Sequence, residues 1–443
     1  MASVIRQAAR KIKFMLTPED KRHYSKRELH IRAVMKETGW SRKKAVSVMT
    51  QAREKLGVTF RDYDVKGMAL LSEKEQAELA ETIVANRKKA IEKKKQTSRM
   101  RAEKHVEDVA RNSGMTREEA LEKMTACRAA TGMSFEHYSK YHFWNIPEEE
   151  QGLYFTKGMA DALKLKYNRF YDIRNIIFHK NLFLKEFDEY LGRPWIFTEN
   201  IDKEQFKNKF DGEEKLIFKP ESSAGGKGIR VFDLNEDSID EVYDKITNLG
   251  PGVVEGFIKR HPEVSKLSTR AVNTVRIVTI FTRRKADGIE TGVPHFVYAG
   301  FRMGSGDSYV DNIHSGGLVA AVDIDTGEVM SDAVDFAYKV YDHHPETGHK
   351  IRGFRIPYFQ EAKEMLGRAI LEKNMLGYYG WDIAVTENGP VIVECNTHPG
   401  AGILQAPFIH QRKGMKYVIE KYLGDAEYGY SEDDDAGNES SDV

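Results

Sequence analysis

Two short apolar runs near the C-terminus are joined by a turn at residues 387–390, which predicts an antiparallel hairpin. Pairing of these runs would place Asp382, Glu394 and Asn396 side by side. Glu394 and Asn396 are two positions apart, so both should point to one face of their strand. Oxygen ligands without Cys or His suit Mg²⁺. The pattern therefore predicts a magnesium site and metal-assisted phosphoryl chemistry.

Length and composition narrow the class of protein. A chain of 443 residues is expected to hold two or three domains. It has no apolar run of membrane-spanning length, and its basic N-terminus lacks the apolar stretch of a secretory signal. The 2 cysteines lie far apart, so we expect no disulfide framework and a cytoplasmic location.

The N-terminal third contains a degenerate internal repeat. Its two copies match without a gap, with Gly57 facing Gly132 and Tyr63 facing Tyr138. Each copy predicts helices that begin at a Ser or Thr cap and stop at a glycine. We therefore expect a basic helical module at 1–150 with repeats at about 30–76 and 105–151, a catalytic domain at 151–424 and an acidic disordered tail at 425–443.

A basic helix predicted over residues 77–104 connects the two copies. Its lysines and arginines could bind nucleic acid or another polyanion. Glutamates interrupt the basic runs, which favours a solvated connecting helix instead. From about residue 153 onward, short apolar runs alternate with helical periods, which predicts an α+β fold with a largely antiparallel sheet.

A Gly-rich loop follows the predicted strand at 216–218. Backbone N–H groups of such a loop can approach a polyphosphate while lysines supply charge. The spacing differs from a Walker A motif, and a plain hairpin turn is the alternative. The residues concerned are Lys219, Ser222, Ser223, Gly225, Gly226 and Lys227. A strand at 253–258 follows, and it could offer backbone groups to an adenine and Glu255 to an amine or ribose.

Taken in order, these motifs resemble the ATP-grasp superfamily over about residues 153–423. The order is a lone Lys180, Lys219 with its Gly-rich flap, the Val-Glu-Gly-Phe-Ile strand, an arginine strand and the Asp…Glu-x-Asn hairpin. The segment at 301–317 is similar to the Asn-x-x-x-Gly-Gly loop of ribosomal-protein glutamate ligases. The segments at 273–279 and 185–193 look closer to the sugar-transfer-associated ATP-grasp group, which is linked to polysaccharide biosynthesis.

The resemblance implies a fold and a set of cofactors. It implies two α+β lobes that hold ATP, with Lys180 and Lys219 on the α and β phosphates. The flap would be formed by Ser222, Ser223, Gly225, Gly226 and Lys227. The adenine hinge would be formed by Glu255, Phe257 and Ile258. Mg²⁺ would be held by Asp382, Glu394 and Asn396.

The resemblance also implies a catalytic group around the transferred phosphoryl. Arg276 and Arg302 would face it, because planar cations suit charge spread over its oxygens, although both could instead be ordinary strand arginines. The acceptor site would be lined by Asn312, Ser315, Gly316 and Gly317.

Two departures from the family pattern bear on the acceptor. The helical repeats stand where an α/β domain usually precedes the core, and Ser315 replaces a basic residue of the glutamate-ligase loop. We expect an ATP-dependent ligase that joins a carboxylate to an amine or thiol through an acylphosphate. Its acceptor would be a carboxylate-bearing small molecule or peptide.

Two other functions remain open at this stage. One is a kinase on the same fold, with Asp311 or His314 as a general base for a hydroxyl acceptor. The other is a polyanion-binding protein that acts through the basic helical module.

Overall fold

Helices make up the first part of the chain. The computed structural model describes residues 26–424 except 200, 222–225, 269, 283, 287–288, 307–308 and 310. The predicted acidic tail and three flap residues, Ser222, Ser223 and Gly225, lie outside the described residues. The helices of this part are α1 (Lys26–Thr38), α2 (Arg42–Leu56), α3 (Phe60–Val65), α4 (Glu73–Ser113), α5 (Arg117–Thr131), α6 (Phe135–Lys140) and α7 (Glu148–Gln151).

Both copies of the repeat use the same helix boundaries. Ser41 and Thr116 accept hydrogen bonds from backbone N–H groups in the first turns of α2 and α5. Those helices end at Gly57 and Gly132, whose φ angles of 69° and 70° lie in the left-handed region that suits glycine. Between the copies runs the 41-residue α4, which contains the predicted basic helix and would extend for about 60 Å.

The second part of the chain builds two main antiparallel sheets and a separate two-stranded one. The strands are β1 (Trp195–Phe197), β2 (Lys215–Pro220), β3 (Arg230–Asp233), β4 (Gly252–Gly256), β5 (Thr274–Phe281), β6 (Arg284–Ala286), β7 (Ile289–Thr291), β8 (His295–Met303), β9 (Leu318–Val322), β10 (Ala333–Val334), β11 (Val340–Tyr341), β12 (Gly377–Thr386) and β13 (Gly389–Asn396). The smaller main sheet has the order β1-β4-β2-β3, the larger has the order β11-β10-β9-β8-β5-β12-β13, and β6 pairs with β7 alone. The predicted α+β class with antiparallel sheets is confirmed.

Helices cover both sheets. They are α8 (Lys157–Tyr167), α9 (Tyr171–Phe178), α10 (Lys180–Glu186), α11 (Lys203–Lys209), α12 (Ile239–Thr247), α13 (Pro262–Ser265), α14 (Phe359–Glu372), α15 (Gly402–Gln405) and α16 (Glu420–Leu423). Leu366 and Ile370 of α14 join Trp381 and Ile383 of β12 in the largest apolar cluster. Within the described residues, no helix is both long and apolar enough to cross a membrane.

The second repeat packs directly against the larger sheet. Tyr138 and Phe143 share one apolar cluster with Val319 of β9 and Val334 of β10. The first repeat instead closes a cluster of its own, which includes Tyr63. The second copy is therefore part of the body that carries the site, and the first copy stands at the far end of α4.

Candidate active site

The C-terminal hairpin brings the predicted metal ligands together. Asp382 on β12 lies directly opposite Glu394 on β13, and Asn396 lies opposite Gly380. The Asn396 amide donates to Glu394 Oε1 at 3.1 Å. The connecting turn is shorter than predicted, because β12 ends at Thr386 and β13 begins at Gly389.

Two arginines enclose the carboxylate of Asp382. Arg276 of β5, its register neighbour, donates from Nε to Oδ1 and from Nη2 to Oδ2, both at 2.6 Å. Arg302 of β8 donates from Nη1 to Oδ2, also at 2.6 Å. The side chain of Asp382 is only 2% exposed. Burial would raise the pKa of Asp382, but the two guanidinium groups outweigh it and hold that pKa well below its usual value.

Glu394 occupies the open side of this cluster. Its side chain is 55% exposed, toward the cleft between the lobes, and its Oε1 lies 3.7 Å from Nη2 of Arg276. Partial desolvation within the cleft and the neighbouring Asp382 carboxylate raise the pKa of Glu394. A cation placed here would offset that repulsion between carboxylates.

Asp311 anchors the loop that follows β8. It forms an ion pair with Arg302 Nη2 at 2.6 Å and accepts a hydrogen bond from Thr274 N–H at 2.8 Å. Burial raises the pKa of Asp311, although the Arg302 charge opposes this. The predicted acceptor loop forms a tight turn at Gly316 and Gly317, shortly after Asp311. Gly316 has a φ of 93°, and a Cβ on Gly317 would lie 2.5 Å from the Asp311 carbonyl oxygen.

The opposite wall of the cleft carries the predicted phosphate-binding lysines. Lys180, at the start of α10, donates to the Glu221 carbonyl at 3.1 Å, and burial lowers its pKa. Lys219 of β2 forms an ion pair with Glu255 Oε1 at 2.6 Å. Arg193 donates from Nε to Glu255 Oε2, also at 2.6 Å.

Glu255 is the buried carboxylate that pairs with Lys219 and Arg193 in this wall. Its side chain is 1% exposed. Burial would raise its pKa, but Arg193 and Lys219 more than offset that and lower the pKa to about 2. The carboxylate is thus enclosed by two cations, rather than presented to a ligand as the sequence suggested. The neighbouring hinge residues Phe257 and Ile258 do face the cleft.

A cleft of about 570 Å³ separates the two walls. Twelve predicted residues line it: Lys180, Lys219, Gly226, Phe257, Ile258, Arg276, Arg302, Asp311, Asn312, Asp382, Glu394 and Asn396. Five others do not form part of its lining, namely Lys227, Glu255, Ser315, Gly316 and Gly317. The His314 side chain lies outside the described part of the chain.

Part of the cleft lining was missed in the sequence. His137 of the second repeat and Lys157 at the start of α8 reach the cleft, as does the loop at 398–402. Burial lowers the pKa of His137 to about 4, so the imidazole is neutral near pH 7. The loop could have been anticipated, because it directly follows Asn396. His137 could not, because only tertiary packing brings the repeat to the cleft.

The donor set fits Mg²⁺. Asn396 uses its amide nitrogen toward Glu394, which leaves its carbonyl oxygen for another partner. Asp382 already accepts three guanidinium bonds, so Glu394 and Asn396 supply the more open oxygens. Within the described residues, no group of three or more His, Cys, Asp or Glu side chains could hold a metal ion. A metal here would therefore take further ligands from phosphate or water.

Comparison with known proteins identifies the family. A family described as sugar-transfer associated ATP-grasp matches residues 195–417, just over half of the chain. No curated protein matches the chain.

Several solved structures align with parts of the chain. An L-amino acid ligase from Bacillus licheniformis aligns at 12% identity and a TM-score of 0.31, covering 52% of this chain and 43% of that one. D-alanyl-alanine synthetase A from Vibrio cholerae aligns at 12% identity and a TM-score of 0.33, covering 57% of this chain and 66% of that one. The ATP-grasp ligase PsnB, solved with a minimal precursor, Mg and ADP, aligns at 17% identity and a TM-score of 0.29, covering 51% of this chain and 52% of that one. This chain thus spans less than two thirds of each, and these matches do not bear on its activity.

The family match, together with the two sheets around the cleft, confirms the ATP-grasp fold predicted from the sequence. It also supports the predicted cofactor ATP. The predicted Mg²⁺ is supported by the oxygen donors of the C-terminal hairpin. The chain therefore belongs to the sugar-transfer associated ATP-grasp family.

Proposed function

We propose that this protein is an ATP-dependent ligase that joins a carboxylate to an amine, or to a thiol, through an acylphosphate. One observation carries the proposal. The oxygen ligands Glu394 and Asn396, with Asp382 held by two arginines, share one cleft with the lysines Lys180 and Lys219. Oxygen ligands for a cation and lysines for phosphates are the two requirements for holding a nucleoside triphosphate during phosphoryl transfer.

In the proposed complex, ATP lies between the two sheets. Lys180 and Lys219 contact its α and β phosphates, with Gly226 and Lys227 of the flap beside them. Phe257 and Ile258 hold the adenine. Glu255 acts indirectly, since its buried ion pair fixes the position of the Lys219 ammonium.

The charges around the γ-phosphate are arranged by Asp382, Glu394 and Asn396, which would hold Mg²⁺. A Mg²⁺ ion held there would neutralise negative charge on the phosphates of ATP. Arg276 and Arg302 face the transferred group, and their pairing with Asp382 fixes both guanidinium planes before substrate arrives. Positioning and fixed charge supply most of the catalysis.

The chemistry proceeds in two balanced steps. A substrate carboxylate oxygen attacks the γ-phosphorus, ADP leaves, and an acylphosphate forms. The amine nitrogen then attacks the acyl carbon, phosphate leaves, and the amine loses a proton. Asn312 and the Gly316–Gly317 turn border the place of the acceptor, which is a small molecule or a peptide.

The surroundings of Asp311 favour a ligase over a kinase. A hydroxyl acceptor needs a general base, whereas a carboxylate acceptor is already ionised. Both oxygens of Asp311 are engaged, one by Arg302 and the other by Thr274. The family description, sugar-transfer associated, is compatible with the proposed role in polysaccharide or cell-surface biosynthesis. We propose that the reaction takes place in the cytoplasm, in line with the low cysteine content of the chain.

The test combines purified protein, Mg²⁺-ATP and a fractionated extract of metabolites and peptides. ADP and free phosphate are measured together, and new species are followed by mass spectrometry. Equal ADP and phosphate with a condensation product are expected. ADP without phosphate, together with a product heavier by one phosphoryl group, would replace the ligase by a kinase.

The matched variants are Glu394→Gln and Glu387→Gln. Glu394→Gln removes a charged metal ligand but keeps a side chain of similar volume. We therefore expect turnover to fall by about 100-fold or more without unfolding of the chain. Glu387→Gln changes the same side chain at the exposed turn of the same hairpin and should leave activity intact. Full activity of Glu394→Gln would remove the metal assignment.

A further inference from the structure

A second cavity, of about 410 Å³, lies between the second repeat and the catalytic body. Three cationic side chains line it, Lys140, Lys339 and Arg412, together with the imidazoles of His142 and His410. None of its described lining residues is a carboxylate. Such a concentration of positive charge in a concave site favours an anion.

Nearby acids neutralise only one of the three cations of this cavity. Asp335 turns its Oδ1 toward the backbone N–H groups of Ala337 and Lys339, at 2.8 and 3.0 Å. Within the described residues, neither Lys339 nor Arg412 forms a salt bridge. Lys140 alone has an acidic partner, Glu136, at 2.7 Å, and Glu136 lines the catalytic cleft.

The backbone around the cavity is unusual. Among the described residues, five that are not glycine have a left-handed φ, and three of these line this cavity. They are His142, Tyr338 and Arg412, with φ angles of 50°, 64° and 49°. A left-handed backbone conformation costs free energy for a residue other than glycine, and residues in this conformation are often found at functional sites.

The first repeat provides an internal comparison. Val65, Gly67 and Leu70 occupy the positions that correspond to Lys140, His142 and Asn145 in the second repeat. Gly67 forms the same turn with a φ of 59°, and there a glycine accommodates it without strain. The repeat therefore folds without these polar residues, so folding alone does not explain their presence.

We propose that this cavity is a second ligand site that binds the phosphate group of a small phosphorylated molecule. The guanidinium of Arg412 and the ammonium of Lys339 contact the phosphate oxygens, and a planar guanidinium can bind two of them at once. The buried ring of Tyr338 forms the floor. Because Tyr338 also lines the catalytic cleft, the ligand touches a wall that the two sites share.

Calorimetric titration of the full chain tests the site independently of the ligase reaction. The cleft is first saturated with Mg²⁺ and a non-hydrolysable ATP analogue, and glucose 1-phosphate or inorganic phosphate is then added. We expect one saturable binding event for each probe. Tighter binding of glucose 1-phosphate would assign the Tyr338 ring to the sugar, and equal binding would assign the site to the bare phosphate group.

Two variants and one control locate the event. Arg412→Gln should weaken binding about tenfold or more, which corresponds to the loss of roughly one charge-assisted contact. Lys413→Gln removes the same charge one position later, where the ammonium lies over the Phe408 ring instead, and should bind as the wild type does. His142→Gly restores the residue type of the first repeat, so it should weaken binding while the melting temperature stays equal or rises.

Several results would overturn the proposal. Absence of binding to the saturated wild type would do so, and so would equal weakening by Arg412→Gln and Lys413→Gln, which indicates diffuse attraction. Unchanged binding in both Arg412→Gln and His142→Gly would place the event elsewhere. ATP-analogue affinity, measured for every variant, shows separately whether the cleft is intact.

Discussion

Arg302 forms ion pairs with two buried carboxylates of the active site. It bridges Asp382 and Asp311, two carboxylates that are each almost fully buried. Arg276 serves only one of these, since its other acidic neighbour, Glu394, faces the open cleft. The two arginines, given one shared role by the sequence, therefore differ in how much folding depends on them.

This difference predicts unequal stability. Arg302→Met leaves two buried carboxylates short of a partner and should lower the free energy of unfolding by about 3–5 kcal/mol. Arg276→Met should cost less, because Asp382 keeps its bond to Arg302. Urea unfolding of both variants measures this order. A larger loss for Arg276→Met would show that the buried charges depend on Arg276 instead.

Glu255 predicts a pH dependence of stability. Its folded pKa of about 2 lies below the ordinary glutamate value of 4.5, so its ion pairs stabilise the fold above pH 4.5. That stabilisation is lost as the pH falls toward 2, because the unfolded chain takes up the proton first. Glu255→Gln should be less stable at pH 7, and its deficit relative to wild type should shrink by about 3 kcal/mol between pH 5 and 2.

Urea unfolding at a series of pH values measures that deficit. Glu361→Gln, at an exposed position of α14, serves as the control and should keep a constant difference from wild type. If the stability difference between Glu255→Gln and wild type stays constant with pH, then the pKa of Glu255 is not lowered in the folded protein.

At the level of elements, the sequence predicted what local pattern determines. The short apolar runs predicted after residue 153 are observed as strands, β5 and β9 among them. The pairing of Asp382 with Glu394 followed from the short turn of their hairpin. The two-residue strands β10 and β11 were not predicted, since so short a run carries no period. They position Tyr338, and with it one wall of both cavities.

The contact between α5 and α8 was equally invisible in the sequence, and it sets the position of the second repeat. Gly158 N–H donates to the Gly132 carbonyl at 3.1 Å. A Cβ on Gly158 would lie 2.7 Å from the Gly132 Cα, so the two backbones meet at a distance that only glycine allows. The glycine that ends α5 is thus also the contact point for the first turn of α8.

This close approach predicts the effect of a single methyl group. Gly158→Ala should force α5 and α8 apart and destabilise the chain by about 1–3 kcal/mol. Gly152→Ala is the matched control, because a Cβ there meets nothing within 4 Å, and its cost should stay within about 0.5 kcal/mol. Thermal unfolding compares the two. Equal stability would mean that the helices can shift without loss of packing.

For the whole molecule, the two repeats have different relations to the catalytic body. The first repeat closes its own apolar cluster, whose members extend no further along the chain than Ala80. The second begins with Val106 and Val109 near the end of α4 and shares its core with β9 and β10. Similar sequences thus serve once as an integral part of the fold and once as a separate unit carried on a long helix.

That asymmetry predicts two different truncations. A chain that begins at Thr97 keeps every member of the shared cluster, so it should melt near the temperature of the full chain and bind Mg²⁺-ATP equally well. A chain that begins at Leu153 exposes Val319, Val334 and Tyr338. Each large buried apolar side chain contributes roughly 1.5–3 kcal/mol, so this shorter chain should unfold or aggregate. Thermal unfolding and nucleotide binding of both chains measure the outcome. Cooperative loss of structure in the chain from Thr97 would show that the first repeat also supports the catalytic body.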